Sequence, residues 1–358
     1  MAGAAVAGSF EDAQAAYRRK DYATALQLMR PLADQGNAKA QYALGIMYAK
    51  GHGVPLDYPE AAKWYRLAAD QGFDKAQSNL GIMYAKGQGV AQDYAEAVKW
   101  YRLAADQRNA VAQSNLGIMY AKGQGVAQDY AEAVKWYRLA ADQRNAVAQS
   151  NLGNKYCNGQ GVPQNYAEAA KWWRLAADQG NAEAQYNLGI MYERGEGVAP
   201  DYAEAVKWYR LAADQGFDWA QSNLGVNYAY GKGVVQDYAE AAKWWRLAAD
   251  KGFAVAQYDL GVMYERGQGV AQDYAEAVKW YRLAADQGLA DAQYSLGESY
   301  AFGEGVPQDY IRAHMWFNLA AAQGNEGGRK NRDIAALKMI PAQIAEAQRL
   351  AREWKPKQ

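Results

Sequence analysis

Apolar positions along this chain recur in two alternating patterns, both of helical period. From about Ala76 to Lys86, the residues Ala76, Leu80, Met83 and Tyr84 fall at i, i+4, i+7 and i+8, which is one face of a helix. After Asp93 the pattern changes. Ala97, Val98, Trp100, Tyr101, Leu103, Ala104 and Ala105 surround a narrow polar stripe of Lys99, Arg102 and Asp106. That apolar arc spans roughly 220°, wider than a helix with one buried face needs. Such a helix is covered on several sides, as when helices pack both within a repeat and between repeats.

Local chemistry marks the ends of these helices. Asp93 stands at an N-cap position and Glu96 follows three residues later, predicting a capping box in which each side chain meets the other's backbone amide. The helix should run to about Gln107. Gly87 ends the preceding helix in the left-handed conformation that glycine adopts cheaply, so Gly-x-Gly-Val is the turn between the two. This glycine pair follows a helix and not a strand, which argues against a phosphate-binding loop. Gly81, inside the first helix, costs about 1 kcal/mol against alanine. Its return in every copy predicts that a second backbone passes close by.

The helix pair repeats. Gln41, Gln77, Gln113, Gln149, Gln185, Gln221, Gln257 and Gln293 stand 36 residues apart, and residues 77–112 are identical to residues 113–148. Residues 40–324 therefore read as eight full repeats. Asp21-Tyr22 lies one period before Asp57-Tyr58, which makes 9–39 a shorter capping pair in which Pro31 is expected to kink the second helix. Residues 325–358 read as a C-terminal cap, with a polar helix at about Arg329–Lys338 and another beginning at Pro341. Residues 1–8 stand apart. Ala5-Val6-Ala7 has the small-x-small form of a signal-peptidase site, without the basic and apolar stretches that normally precede it. The segment is a residual signal peptide or a cloning remnant. The first reading places the protein in a bacterial periplasm or outside the cell, with the cytoplasm as the alternative.

The motif Ala-Gln-x-x-Leu-Gly-x-Met-Tyr-x-x-Gly-x-Gly-Val-x-x-Asp-Tyr-x-Glu-Ala-x-Lys-Trp-Tyr-Arg-Leu-Ala-Ala-Asp-Gln-Gly resembles the Sel1-like repeat, a relative of the tetratricopeptide repeat. The resemblance covers residues 40 to about 324. It implies an all-α fold, a right-handed solenoid of stacked antiparallel helix pairs, used as an adaptor or scaffold. A cysteine-rich branch of the family, linked to penicillin binding and hydrolysis, carries a cysteine pair in each repeat. This chain lacks those pairs.

Composition narrows the chemistry. Thirty-nine basic residues balance thirty-nine acidic ones, so the electrostatic footprint of a nucleic-acid binder is missing. No run approaches the roughly 18 apolar residues that suggest a transmembrane helix. One cysteine, Cys157, and two histidines, His52 and His314, offer little for metal or acid–base work. No enzyme activity, cofactor or metal is expected. The oligomeric state is not legible.

Comparison among the copies separates framework from freedom. Three first-helix positions, spaced by four and three, vary together: Tyr42/Ile46/Ala49, Ser78/Ile82/Ala85, Ser114/Ile118/Ala121, Ser150/Asn154/Cys157, Tyr186/Ile190/Glu193, Ser222/Val226/Ala229, Tyr258/Val262/Glu265 and Tyr294/Glu298/Ala301. That spacing puts each triplet on one helical face. Polar and apolar residues exchange there, so the face is expected to lie outside the core. It is the candidate concave surface for a protein or extended peptide partner. A binder of peptidoglycan fragments, or a hydrolase-like enzyme, is the alternative reading. The periodic Trp of the Lys-Trp motif is expected in the core, and Trp219, in an inter-helix turn, is a candidate exposed contact. Cys157 is expected to be inert.

Overall fold

The computed structural model describes residues 9–357; the segment read as a signal peptide or cloning remnant lies outside them. Twenty helices and no strand occur among the described residues. They form two compact units of stacked antiparallel helix pairs, divided between Asn181 and Ala182. The first holds α1 (Phe10–Arg18), α2 (Tyr22–Asp34), α3 (Ala38–Lys50), α4 (Tyr58–Asp70), α5 (Asp74–Lys86), α6 (Tyr94–Asp106), α7 (Ala110–Lys122), α8 (Tyr130–Asp142), α9 (Ala146–Asn158) and α10 (Tyr166–Ala177). The second holds α11 (Ala182–Arg194), α12 (Tyr202–Asp214), α13 (Asp218–Tyr230), α14 (Tyr238–Asp250), α15 (Ala254–Arg266), α16 (Tyr274–Asp286), α17 (Ala290–Phe302), α18 (Tyr310–Ala322), α19 (Glu326–Ala336) and α20 (Pro341–Glu353).

The helix ends follow the local chemistry, with one correction. Asp93 Oδ1 accepts from the Glu96 amide at 2.9 Å, a cap worth about 1 kcal/mol. The return arm of the box does not close, because the Glu96 carboxylate is drawn to Lys99 Nζ at 2.8 Å. The same Glu–Lys pair follows the caps at Asp57, Asp129, Asp201, Asp237 and Asp273. Both arms close at Ser9–Asp12 in α1. Gly87 adopts φ 65°, the expected left-handed C-cap. Helix α2 continues for a further turn past Pro31.

Gly81 is crowded by a ring and not by a backbone. A Cβ built there would lie 2.6 Å from the Tyr101 ring, which packs down from the second helix of the same repeat. The equivalent glycines meet Tyr65, Tyr137, Trp173, Tyr209, Trp245, Tyr281 and Phe317 in turn. Backbone-to-backbone approach occurs at the loop instead. Gly89, at φ 71°, would place a Cβ 2.3 Å from the Tyr58 carbonyl of the preceding pair.

Two ladders join successive repeats. Gln77 donates Nε2 to the Ala69 carbonyl at 3.1 Å, and its Oε1 accepts from Gln107 Nε2 at 2.8 Å. The buried amide is thus satisfied from both sides, as burial requires. On the other flank Arg102 donates to the Tyr120 hydroxyl, and the pair returns at Arg66–Tyr84, Arg210–Tyr228 and Arg246–Tyr264. The buried arc of the second helix is narrower than its sequence predicts. Leu103 is about half exposed, as are Leu67, Leu139 and Leu211. Trp64, Trp100, Trp208, Trp244, Trp280 and Trp316 are buried as expected, whereas Trp136 and Trp172 are half-buried. The C-terminal helices close the second unit: Trp354 meets Trp316 edge-on, and Lys357 binds Asp286 through both its amide and its ammonium.

One rung of the glutamine ladder is broken. Lys251 stands where other copies carry Gln, and it turns to the Gly216 carbonyl and Asp218, leaving buried Gln221 Oε1 without a partner among the described residues. Lys251→Gln restores the rung and should raise stability by about 1 kcal/mol, net of an exposed ion pair that contributes little; an unchanged urea midpoint would refute this account. Gly89→Ala should cost about 3 kcal/mol or more through strain at positive φ and the backbone overlap. A loss below 1 kcal/mol in the same melts would show that the loop can move aside.

Candidate functional site

The eight triplets do share the first-helix face, but the expectation that this face lies outside the core needs correcting. Ser78, Ser114, Ser150 and Ser222 are buried, so a partner cannot reach them in this conformation. Tyr42, Tyr186, Tyr258 and Tyr294 hold the same station half-buried. Each leans on the ring that covers the repeat's glycine, with centroids 5.8–5.9 Å apart at Tyr65, Tyr209, Tyr281 and Phe317. The middle residues Ile46, Ile82, Ile118, Ile190, Val226 and Val262 are half-buried, packed against the core of a neighbouring pair. The face is a seam: one side of each residue seals adjacent repeats and the other remains accessible.

Its polar members are tied to the same rings. Asn154 accepts from Trp173 Nε1 at 3.0 Å. Glu193 and Glu265 accept from the hydroxyls of Tyr209 and Tyr281 at 2.6 and 2.7 Å. Glu298 accepts from the Tyr294 hydroxyl at 2.6 Å, and burial raises its pKa above the usual glutamate value. Cys157 is half-buried.

The sequence reading missed a second feature of this face. Phe73 occupies the N-cap station of α5 and offers no side-chain cap, whereas Asn109, one repeat later, caps α7 at 3.0 Å. The Phe73 ring instead lies 5.1 Å from Tyr42. Together with Phe10, Tyr17 and Ile46 they line a groove of about 490 Å³, with Lys39 and Lys75 on its rim. In the second unit Phe217 packs likewise on Tyr186, 5.2 Å away, beside a smaller groove of about 310 Å³ rimmed by Glu183 and Trp219. Trp219 is 53% exposed, as expected, and rests edge-on against Phe253. The signal was the exchange of Asn for Phe at a capping station.

Catalytic chemistry has little material here. His52 stacks on Tyr22 and hydrogen-bonds the Tyr17 hydroxyl at 2.9 Å, while His314 is buried beneath the C-terminal helices. Among the described residues no group of three His, Cys, Asp or Glu is placed to hold a metal ion, and no helix is long and apolar enough to cross a membrane.

The Sel1 repeat model matches residues 13–37, 38–73, 74–109, 110–145, 146–181, 182–217, 220–253, 254–289 and 290–325. The chain belongs to the Sel1 repeat family. The first match falls on the short pair read from sequence as a cap. The chain is similar to the solved Sel1 repeat protein of Oxalobacter formigenes, with 36% identity over 85% of this chain and 88% of that one, at a TM-score of 0.62. It is also similar to c5321, a protective antigen of uropathogenic Escherichia coli, with 32% identity over 92% of this chain and 94% of that one, at a TM-score of 0.58. No curated protein matches significantly. Sel1 repeat proteins generally bind other proteins, and the scaffold is generally non-catalytic.

One residue of this Sel1 face titrates within the physiological range. Burial pushes the Asp259 carboxyl up to about 7. Five other copies carry Asn at this station: Asn79, Asn115, Asn151, Asn187 and Asn223. The folded chain holds the Asp259 proton more tightly than the unfolded chain, whose aspartates ionise near about pH 4. Its contribution therefore falls as pH rises from about 4 to about 7 and is level above that. Asp259→Asn should raise the melting temperature at pH 8 and leave it nearly unchanged at pH 4; an equal shift at both would disprove the burial penalty.

Proposed function

We propose that this protein is a non-catalytic interaction scaffold that binds a protein or extended peptide along its first-helix face, the concave surface of the solenoid. The observation that carries the reading is the row formed by Ile46, Ile82 and Ile118 in the first unit. Three isoleucines occupy one station of successive repeats, each sealing a seam with one side and leaving its other side accessible. A regular half-buried apolar row suits an extended chain, whose contacts also recur at a fixed step. In the second unit the same station holds Ile190, Val226, Val262 and, in the last copy, Glu298, with Glu193 and Glu265 three residues beyond Ile190 and Val262. The partner is met outside the cytoplasm, a placement that rests on Ala5-Val6-Ala7 alone.

The test compares two faces. The intact chain, an Ile82→Thr/Ile118→Thr variant and a Leu103→Thr/Leu139→Thr variant are used as bait in a native envelope extract, with melting curves to confirm folding. Any captured protein is then titrated against all three in purified form. The first-helix variant should bind at least tenfold more weakly, about 1.4 kcal/mol, and the second-helix variant as tightly as the intact chain. Loss with the second-helix variant alone, or enrichment of peptidoglycan fragments in place of a protein, would overturn the reading.

A further inference from the structure

Two local rules are broken at one place in the first unit. Phe73 leaves the N-terminus of α5 without the side-chain cap that Asn37 gives α3 and Asn109 gives α7. Lys39 and Lys75 stand in the first turns of α3 and α5, where the helix dipole disfavours a cation. The same station elsewhere holds Val111, Val147, Glu183, Trp219, Val255 and Asp291. Neither lysine makes an ion pair among the described residues. The lost cap is offset by packing of the Phe73 ring on Tyr42 and the adjoining core, whereas nothing among the described residues offsets the two lysines. A local rule broken without compensation marks a site kept for binding.

Both departures serve the same groove. Forgoing a cap costs about 1 kcal/mol, and in exchange the Phe73 ring becomes a wall facing Tyr42. Phe10 and Tyr17 stand among the other lining residues, and the buried Met29 lies at its base. The volume of about 490 Å³ suits one or two apolar side chains. Two ammonium groups without an ion pair and two helix N-termini on the rim favour negative charge, against the carboxylate of Glu11 in the lining and that of Asp74, which lies near Tyr42 and is held by the Asn109 amide. We propose that the Tyr42–Phe73 groove receives an extended segment of a partner protein in which an apolar side chain is flanked by acidic residues. This rests on the interaction reading above and gives it a charge requirement. The groove at Tyr186–Phe217 supplies the contrast: the aromatic pair is retained, but the lysine stations hold Glu183 and Trp219. The acidic preference belongs to the first groove.

The labelled full chain is applied to an array of hexapeptides with Leu or Phe at the centre and Glu, Ser or Lys on both sides. Glu-flanked members should be retained at least tenfold more strongly than Lys-flanked ones, with the difference shrinking at high salt. Lys39→Glu/Lys75→Glu, which places at both stations a residue the fold already carries at Glu183, should abolish or reverse that preference. Lys122→Glu should leave it intact. An unchanged preference in the double variant, equal retention of Glu- and Lys-flanked members, or retention of none overturns the proposal. If the double variant still captures the partner that the Ile82→Thr/Ile118→Thr variant loses, the scaffold reading stands and this inference alone fails.

Discussion

The contact on which every repeat depends is an aromatic ring laid on a glycine. Tyr101 covers Gly81 so closely that even one methyl group on the glycine would overlap the ring. This lets the two helices of a pair approach face to face, and it fixes which way the rest of the first helix points. With Leu80 and Met83 buried beside the glycine, the residues flanking it at Ser78 and Ile82 are turned into the seam with the next pair. The tyrosine also carries its hydroxyl to the edge of that seam. Glu193 and Glu265 are held in place by the hydroxyls of Tyr209 and Tyr281, and where the ring is Trp173 its indole N–H is taken up by Asn154. One packing constraint thus sets both the core and the chemistry of the accessible face.

Much of this was legible because it is written in local chemistry. A 36-residue period, an Asp before an apolar run and a glycine after one each state what the backbone does within a few residues. What the sequence hides is the partner of each signal. The recurring Gly81 showed that something passes close, yet nothing local distinguishes a backbone from a ring twenty residues further along the chain. Glu96 fits a capping box by spacing, but Lys99 is equally well spaced, and the exposed ion pair prevails. Leu103 looks buried on a helical wheel because a wheel shows direction and not how far the neighbouring helices reach.

The face assigned to binding shows the same limit more sharply. Exchange of Ser, Tyr, Ile and Glu among copies suggests freedom from the core, and the structure shows that it is only partly that. A buried station accepts either a small residue or a large one when the large one has a ring to lean on, as Tyr42 has Tyr65 and Phe73. Variation among repeats therefore reports two things at once: tolerance in the seam and departure for a purpose. Burial separates them. The buried serines belong to the first class, and the half-buried tyrosines are the ones that the proposed function assigns to the second.

Recognition in an array of near-identical units has to come from the places where the units differ. Residues 77–148 present the same residues twice, so they extend a surface without telling one segment of a partner from another. The first copy departs at four stations together, with Lys39, Tyr42, Phe73 and Lys75 gathered around one groove, and the fifth departs again with Glu183, Tyr186, Phe217 and Trp219. Each departure gives up something the intervening copies keep, most plainly the asparagine cap. A duplicated framework supplies rigidity at every step, and on the reading proposed above specificity is concentrated where that framework has been locally weakened.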